Sequence, residues 1–436
     1  MNKTKKIRIA IILELKKREM PFMSILQDLL LKKGYDVKLI PFRSLVTYHL
    51  LSYKPDIVMI NGLRTADPCL ISQIYIPKKM FNARIMCYYS EQVGYYEKSL
   101  AYQYSDQLIM HNIDYHIAWG PRFAEDLIKL GAPKEKVWYI GSLQYDIDKY
   151  IKSSVLDVKA ELAENYNLNA KNKWVLYTDN IIKKFQKPEL YDIRRKETFD
   201  LIKNAACEIP NATFIFRPHP ETPQHEINYA KVYFKNEPNV KIISDGHVFN
   251  WTYVCDSLIM WCSTSSIQAM FLNKFVIGFV TSDGQELEKY WYKEVFPSFD
   301  NIPELVNCLK NCLEGEKTEK EFGFEKKQQE YIREWYFEND KLCFERLIYL
   351  FELVASDTPV PYIGKKYPLT HICGILAKEL KSKIGDFVKG RTKDRTIYSK
   401  DIYNELRKYD TNKFEKVNFK VCQTNRGVFL KKCQHH

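Results

Sequence analysis

Two segments in the second half of the sequence carry side chains that suit phosphate binding. The first is Phe216-Arg217-Pro218-His219-Pro220-Glu221, which directly follows an apolar run typical of a strand. Its two prolines restrict the backbone and fix the directions of the neighbouring guanidinium and imidazole. Both groups can donate hydrogen bonds to phosphate oxygens, so we predict that Arg217, His219 and Glu221 bind a nucleotide. A rigid turn with a surface histidine is the alternative interpretation.

The second segment, Trp261–Ala269, places four consecutive hydroxyl side chains where an apolar run ends and a helical pattern begins. Hydroxyls and free backbone N–H groups at the start of a helix can bind an anion. Ordinary capping would explain one hydroxyl but not four. Because both segments are predicted at the carboxyl ends of strands in one sheet, we expect them to hold the same phosphate. The predicted nucleotide-binding residues here are Ser263, Thr264, Ser265 and Ser266.

An acidic side chain, Glu91, follows a predicted strand in the first half of the chain, within Tyr88–Gly94. A carboxylate at the carboxyl end of that strand could act as a general base or as a nucleophile. The alternative is an acid that stabilises the start of a helix through its dipole. Asp179 is the next candidate acid, and His111 and His116, which flank a strand, are expected to have structural roles.

The sequence predicts neither a metal site nor a cofactor. It contains no GxGxxG, no GxxxxGK[ST] and no HExxH, which argues against a Rossmann dehydrogenase, a P-loop enzyme and a zinc protease. Asp146 and Asp148 form a DxD, the metal-binding signature of another glycosyltransferase architecture, but two sheets fit that architecture poorly. The eleven cysteines are odd in number and form no CxxC pair, so we expect a reducing cytosol rather than a disulfide framework.

Alternating apolar runs and helical patterns position these residues. Repeated strand–helix–strand units indicate parallel α/β sheets. The pattern fills residues 1–150, stops at the polar stretch Asn165–Lys173 and restarts over 165–355. The predicted fold class is therefore α/β, with two doubly wound Rossmann-like domains facing a cleft between the carboxyl ends of their sheets. In the second domain, Lys320–Val354 is predicted as one long helix, and in the first a helix is predicted over Pro21–Lys33.

A basic tail, residues 362–436, follows the linker Ser356–Gly364. The chain of 436 residues has a net charge of +12, and the tail alone holds 18 Lys and Arg against 7 Asp and Glu. Apolar residues recur at helical spacing over Leu369–Phe387, beside lysines, as in helices that lie on membranes. No apolar run approaches the ~20 residues that span a bilayer. We expect a cytoplasmic protein, peripheral at the inner membrane face, that binds no nucleic acid. The alternative is that the apolar stripe packs on the body of the protein.

These features resemble bacterial surface-carbohydrate glycosyltransferases of the GT-B type, which include capsule and lipopolysaccharide Kdo-transferase-like proteins and, more distantly, sialyltransferases and teichoic-acid polymerases. The resemblance covers about residues 80–280. The similar segments are Ser90-Glu91-Gln92-Val93-Gly94, Ile117-Ala118-Trp119-Gly120, Ile140-Gly141-Ser142-Leu143-Gln144-Tyr145-Asp146, the His-Pro segment Arg217–Glu221, and Ser263–Ala269 with Asn273-Lys274-Phe275-Val276. Two positions depart from the family: Gln268 stands where many relatives have Glu, and Gln92 stands where they often have a second acid.

The resemblance implies a metal-independent GT-B glycosyltransferase of surface polysaccharide biosynthesis. Its donor would be a cytidine-nucleotide sugar, such as CMP-Kdo or a related keto-sugar acid, and its acceptor a lipid-linked glycan at an anionic membrane surface. His219, the hydroxyl cluster and Gln268 would bind the nucleotide, and Glu91 would act as the base of an inverting reaction or as the nucleophile of a retaining one. Two alternatives stay open: a CDP-polyol phosphotransferase of the teichoic-acid kind, and a non-catalytic nucleotide-sugar-binding scaffold.

Overall fold

The structure is a computed structural model that describes residues 6–42, 45–63, 70–92, 100–181, 187–261, 263–282, 292–315, 319–388, 397 and 399–433. The chain divides into two compact units. The first contains Met1–Lys152 and Ile332–His436, and the second contains Ser153–Tyr331. Residues 332–355, predicted as the end of the second domain, and the tail 362–436 thus belong to the first unit.

The strands match the predicted apolar runs to within one or two residues at each end, and two strands near the C-terminus and one short strand after residue 297 were not predicted. In chain order they are β1 Arg8–Leu13, β2 Asp36–Pro41, β3 Ile57–Asn61, β4 Arg84–Tyr88, β5 Tyr115–Ala118, β6 Val137–Tyr139, β7 Lys173–Thr178, β8 Ala212–Arg217, β9 Val240–Ile242, β10 Ser257–Met260, β11 Phe275–Phe279, β12 Ser298–Phe299, β13 Phe419–Thr424 and β14 Gly427–Lys432.

The helices of the described ranges lie between these strands and after them. They are α1 Lys16–Lys32, α2 Val46–Tyr53, α3 Ile76–Phe81, α4 Gln107–Asn112, α5 Pro121–Lys129, α6 Ile147–Tyr150, α7 Val155–Tyr166, α8 Pro188–Glu208, α9 Gln224–Tyr233, α10 Val248–Val254, α11 Ser265–Phe271, α12 Tyr292–Val295, α13 Ile302–Glu314, α14 Glu319–Trp335, α15 Cys343–Ser356, α16 Leu369–Val388 and α17 Ser399–Leu406.

The first unit is built on an eight-stranded sheet with the order β13-β14-β6-β5-β4-β3-β1-β2. Every neighbouring pair is parallel except the hairpin β13–β14. Strands β1, β3 and β4 are almost entirely buried, as continuous apolar runs in a sheet covered on both faces should be. The carboxyl ends of β1, β3, β4 and β5 therefore form one edge of this sheet.

The second unit has a six-stranded parallel sheet with the order β12-β11-β10-β7-β8-β9. Strand β7 lies in its middle and pairs with β10 on one side and β8 on the other. Aromatic residues of α8 and β8 pack together in its core, with Phe199 and Phe216 edge to face at 5.7 Å between ring centroids. The switch in strand order on the two sides of β7 is the place where open α/β sheets bind ligands.

Helix α1 begins at Lys16, five residues before the predicted start at Pro21. Pro21 therefore stands inside the helix, where it has no N–H to donate to the carbonyl four residues earlier. Side chains of the first turn stabilise the earlier start. The Glu19 carboxylate accepts the backbone N–H of Glu14 at 2.8 Å and a hydrogen bond from the Arg18 side chain at 2.9 Å. The helix therefore begins directly behind β1.

The prediction of one helix over Lys320–Val354 is wrong, because the chain forms α14 and α15 with a break at 336–342. Phe337 and Lys341 have left-handed φ values of 72° and 57° within the break. Close packing fixes it there: a Cβ on Gly120 would lie 2.3 Å from the backbone carbon of Trp335, and a Cβ on Gly141 would lie 2.3 Å from Cys343 Sγ. The glycines of the two segments that resemble the glycosyltransferases thus allow this close approach.

The basic tail contains helices, as predicted, and also the hairpin β13–β14, which the sequence analysis did not predict. Strand β14 pairs in parallel with β6, with Val428 opposite Trp138 and Phe429 opposite Tyr139. Arg426, in the hairpin turn, forms ion pairs with Glu125 at 3.2 Å and with Glu334. The end of the chain is therefore an integral part of the first unit's sheet.

Candidate functional site

The two predicted phosphate-binding segments of the second unit follow strands on either side of β7. In the strand register, Thr178 at the end of β7 lies opposite Met260 of β10 and opposite Arg217 of β8. Adjacent strands lie about 4.8 Å apart, so the ends of β10 and β8 are separated by roughly twice that distance. The fold thus brings both segments to one edge of the second sheet.

Arg217 is buried and holds a neighbouring loop. One of its terminal nitrogens donates to the carbonyl of Asp245 and the other to the carbonyl of Gly246 at 2.9 Å. Its guanidinium also lies over the ring of Trp251, 5.7 Å from the centroid. Burial lowers the pKa of Arg217 to about 10. Arg217, which the sequence predicts to bind phosphate, therefore orders the loop that leads into α10.

His219 lies in a tight turn and is half-buried. Its Nδ1 accepts the backbone N–H of Glu221 at 3.1 Å, and its carbonyl accepts the N–H of Thr222 at 2.8 Å. An Nδ1 that accepts a hydrogen bond carries no proton, so the proton of the neutral ring resides on Nε2. This tautomer makes Nε2 a donor that suits a phosphate oxygen. The side chain of Glu221 is exposed at the same turn.

The four hydroxyls at the start of α11 divide into two kinds. Ser266 is fully buried and donates to the carbonyl of Ser263 at 2.7 Å, and Ser263, also buried, accepts the N–H of Ser265 at 3.4 Å. Thr264 is exposed and Ser265 is half-buried. Capping geometry thus uses Ser263 and Ser266, while Thr264 and Ser265 remain at the surface. Gln268 is buried one turn further along the helix.

Between the two segments lies a buried ion pair that the sequence analysis missed. Asp179 follows β7, is 4% exposed, and accepts from Arg195 of α8 at 2.7 Å and from the N–H of Ile181 at 3.1 Å. Burial raises the pKa of Asp179, and the charges of Arg195 and His219 act in the opposite direction. Asp179 was the second candidate for the catalytic acid, but here its carboxylate is enclosed. Arg195 gives no signal in the sequence because it sits inside an ordinary helical pattern.

The first unit has its own polar cluster, centred on Arg18 at the carboxyl ends of β1, β3 and β4. Arg18 forms an ion pair with Glu91, whose side chain is 48% exposed. Its Nη2 also contacts Glu14 at 3.0 Å and Glu19 at 2.9 Å. Asn61 donates to Glu14 at 2.8 Å. The predicted catalytic carboxylate is therefore held in a fixed direction by a guanidinium from the start of α1.

Glu19 is the buried centre of this cluster. Its side chain is fully enclosed, and it accepts from the Ser90 hydroxyl at 3.1 Å in addition to Arg18 and the backbone of Glu14. Burial raises the pKa of Glu19, and the charge of Arg18 opposes that shift. Neither Arg18 nor Glu19 was predicted from the sequence to belong to the site. The one available signal was the acid at position 14, which ends the apolar run of β1.

The position of Gln92 beside Glu91 has a structural explanation. Gln92 is buried, and its amide nitrogen donates to the carbonyls of Tyr89 at 3.0 Å and Ile117 at 3.2 Å. Its amide oxygen accepts the N–H of Trp119 at 2.6 Å. A second acid at this position could not supply the donor. Gln92 therefore ties the end of β4 to the end of β5. Val93 and Gly94, which complete the resembling segment, lie outside the described residues.

The two histidines near β5 differ in burial: His116 lies in the core of the first unit, and His111 is exposed. His116 is fully buried between the Tyr89 hydroxyl at 2.7 Å and the Met110 carbonyl at 3.1 Å. Burial lowers the pKa of His116 to about 3, so the ring is neutral. His111 contacts the carbonyl of Gln107 through Nδ1 at 2.7 Å. Both contacts agree with the expected structural roles.

The DxD pair joins two parts of the first unit. Asp146 is buried and accepts the N–H of Cys343 at 2.7 Å, and Asp148 forms an ion pair with Lys341 at 3.1 Å. Burial raises the pKa of Asp146 to about 6, against the charge of Lys341. Within the part of the chain that the structure describes, no group of three or more His, Cys, Asp or Glu side chains is arranged to hold a metal ion.

A shallow open depression of about 440 Å³ lies elsewhere in the second unit. It is lined by Asn172, Thr213, Asn239 and Lys241, at the amino ends of β8 and β9. Parallel α/β sheets bind their ligands at the carboxyl ends of the strands, so we place the candidate site at the edge that carries His219 and Thr264. In the described ranges, no helix has both the length and the apolar character needed to cross a bilayer.

Comparisons with known proteins find similarity in fold. No protein-family model and no curated protein sequence matches the chain. The co-structure of S. aureus MnaA with UDP covers 83% of this chain and 99% of its own, with 13% identity and a TM-score of 0.53. A putative UDP-N-acetylglucosamine 2-epimerase from Listeria monocytogenes covers 83% and 100%, with 12% identity and a TM-score of 0.54.

The UDP-GlcNAc 2-epimerase of Methanocaldococcus jannaschii covers 75% of this chain and 99% of its own, with 16% identity and a TM-score of 0.51. Structural similarity at these low identities shows the fold alone, and the activity has to be inferred from the chemistry of the site. The predicted fold class is confirmed: the chain has two Rossmann-like α/β domains of the GT-B kind.

Proposed function

We propose that the protein is a nucleotide-sugar glycosyltransferase whose second unit binds the nucleotide. The observation that carries this proposal is the strand register at β7. The turn of His219 and the hydroxyls of Thr264 and Ser265 follow the strands on either side of β7, at the same edge of one sheet. Phosphate groups bind where such side chains and backbone amides converge. Glycosyl transfer needs this neutralisation, because the nucleotide leaves as an anion.

In the proposal, Nε2–H of His219 donates to a phosphate oxygen, and the exposed Thr264 and half-buried Ser265 complete the binding of that group. Arg217, Ser263 and Ser266 act as positioning residues, since each is engaged in hydrogen bonds within the protein. Glu221 and Gln268 stay predicted nucleotide ligands, the latter at a ribose hydroxyl.

The proposed catalytic residue is Glu91. Its carboxylate takes the proton of the acceptor hydroxyl, whose oxygen then forms the new bond to the sugar while the bond to the nucleotide breaks and the nucleotide leaves. A single displacement of this kind inverts the anomeric centre. A retaining reaction would use Glu91 as the nucleophile instead. The ion pair with Arg18 supports either role, because it holds the carboxylate in one direction.

The donor in this proposal is a pyrimidine nucleotide sugar. The resemblance predicts cytidine, as in CMP-Kdo, whereas the similar structures include complexes with UDP and UDP-GlcNAc. The proposed acceptor is a lipid-linked surface glycan. A second candidate function is epimerisation of a nucleotide sugar, which is favoured by similarity to structures described as UDP-N-acetylglucosamine 2-epimerases that cover 83% of this chain. It would require the same phosphate site but no acceptor.

The test combines binding and product analysis on the full chain. Thermal unfolding is measured with CMP, CDP, UDP and GDP, where a specific ligand at ~100 times its Kd should stabilise the protein by about 2.7 kcal/mol. The matching nucleotide sugar is then incubated with and without lipid-linked glycan acceptors. A glycosylated acceptor supports the transferase. An epimerised sugar without acceptor supports the epimerase, and transfer of polyol phosphate supports the phosphotransferase. Binding without any turnover would support a scaffold, and no nucleotide binding would overturn the proposal.

A further inference from the structure

Helix α16 presents two different apolar sides. Ile372 and Ile375 are buried in the core cluster of the first unit. By contrast, Leu380, Ile384 and Phe387 are 53%, 57% and 75% exposed. At 100° per residue these three residues lie within roughly a 60° sector of the helix, away from the buried pair. The predicted stripe over Leu369–Phe387 thus divides into a side that packs on the protein and a side that faces solvent.

The exposed side of α16 is bordered by positive charge. Lys381 is exposed and lies about 60° from Ile384 around the helix, whereas the exposed Lys378 lies about 120° from Ile384. The two acidic residues of the helix are turned inward: Asp386 is 5% exposed, and Glu379 accepts hydrogen bonds from the backbone N–H and the hydroxyl of Thr47, at 3.1 Å and 2.7 Å. The outer surface therefore combines large apolar side chains with lysines, and the acids that would repel an anionic surface are engaged with the protein.

The helix is fixed to the first unit at several points. Glu379 occupies the start of α2, where Leu45 has a left-handed φ of 50° and supplies no side-chain cap. Before the helix, the hydroxyl of Tyr75 donates to the Tyr367 carbonyl at 3.2 Å and accepts the Tyr367 N–H at 3.1 Å. The exposed stripe is thus held in place by the fold and does not need a partner in order to become helical.

We propose that this face of α16, defined by Leu380, Ile384 and Phe387 with Lys381 at its border, lies in the interface of an anionic lipid bilayer. A helix with one apolar side and lysines beside it inserts its apolar side chains at the level of the acyl boundary, while the ammonium groups contact lipid phosphates. A second copy of the chain is the less suitable occupant, because a two-fold contact would bring two patches of the same positive charge together. The net charge of the tail, 18 basic against 7 acidic residues, points the same way.

The proposal is tested by flotation of the full chain with phosphatidylglycerol-containing vesicles and with pure phosphatidylcholine vesicles. A chain ending at Gly364 is unsuitable, since it would remove β13 and β14 from the sheet. We expect binding to anionic vesicles at low salt and its loss at about 1 M salt, where the Debye length falls to about 3 Å. Lys381→Gln should weaken binding about fivefold.

The decisive variant is Leu380→Ser/Ile384→Ser/Phe387→Ser, which should abolish flotation with little change in Tm, because all three side chains are exposed. The matched control is Leu156→Ser/Val232→Ser, which removes two side chains of the second unit that are 77% and 68% exposed. This control should float like the wild type. The assay contains no nucleotide or acceptor, so its outcome is independent of the proposed function.

Three results would overturn the proposal: no flotation of the wild type, equal flotation of the triple variant, or equal binding to both kinds of vesicle at low and high salt. Light scattering of the same proteins gives a further check. If the triple variant changes from a dimer to a monomer while flotation is unaltered, the face joins two copies of the chain. As a direct readout of insertion, Phe387→Trp should shift its emission to the blue when anionic vesicles are added, and an unshifted emission would contradict insertion.

Discussion

Arg18 and Glu91 form an ion pair although 73 positions separate them in the sequence. The same guanidinium contacts Glu14 and the fully buried Glu19, so one side chain at the start of α1 joins the carboxyl ends of β1 and β4. This arrangement gives Glu91 a fixed direction without enclosing it, since about half of its side chain is exposed. Fixed direction and access to solvent are both needed by a carboxylate that acts on a bound acceptor.

Replacing Glu91 with Gln should lower turnover about 10²–10⁴-fold and leave nucleotide affinity unchanged. The amide keeps the shape of the side chain but cannot take a proton. Turnover is measured with the donor identified by thermal shift, and affinity is measured by calorimetry. The control is Glu135→Gln, an exposed acid outside the cluster. Near-normal turnover in Glu91→Gln would remove this residue from the mechanism and turn attention to Glu14.

The substitution His219→Ala should weaken nucleotide binding by about 1.5–3 kcal/mol, the range for a hydrogen bond to a charged group. That corresponds to roughly a 10- to 150-fold rise in Kd. Calorimetric titration measures the effect, and Tm should change little because the ring is half-buried in a surface turn. His225→Ala, on an exposed position of α9, provides the matched control. An unchanged Kd in His219→Ala would show that the ring does not hold the phosphate.

Asp146 should make the stability of the first unit depend on pH. Burial raises its pKa from the usual 3.8 to about 6 in the folded protein, so the folded state binds the proton more tightly. Its stabilising contribution is complete below pH 3.8 and is lost as the pH rises to about 6. The loss is about 3 kcal/mol, because one pKa unit corresponds to about 1.4 kcal/mol.

Urea unfolding at several pH values checks this prediction by comparing the wild type with Asp146→Asn. The variant cannot titrate, yet its amide oxygen can still accept the N–H of Cys343. The difference in unfolding free energy should therefore shift in favour of the variant between pH 4 and 6.5. The exposed Asp192→Asn should show no such trend. A constant difference across this range would mean that Asp146 is not protonated near pH 6.

The substitution Gly120→Ala should destabilise the first unit by about 1–3 kcal/mol or more, as overpacking does. Its Cβ would lie 2.3 Å from a backbone atom of Trp335, which cannot move as a flexible side chain could. Gly374→Ala is the control, because nothing lies within 4 Å of its added Cβ and alanine favours the helix by about 1 kcal/mol. Urea unfolding of both variants measures the effects. Equal stability of Gly120→Ala and the wild type would contradict the close approach.

The amino-acid sequence by itself determined most of the parallel strands and the places where they end. Runs such as that of β1 are almost continuously apolar. A strand buried on both faces can therefore be predicted from the residues of the run alone. The positions of His219 and Glu91 after their strands were predictable for the same reason. Helix α16 and its apolar stripe were likewise predictable, because charge and apolar spacing within one helix are local properties of the sequence.

Tertiary structure alone decided which partner each polar group has and which edge of a sheet the tail joins. Arg217, predicted as a phosphate ligand, donates instead to the loop at 245–246, because that loop returns beside β8. The break between α14 and α15 depends on a close approach to Gly120, and the pairing of β14 with β6 joins residues nearly 300 positions apart. Hydrogen bonds and ion pairs need distances of about 3 Å in space, and the sequence specifies such distances only through the packing of the whole unit.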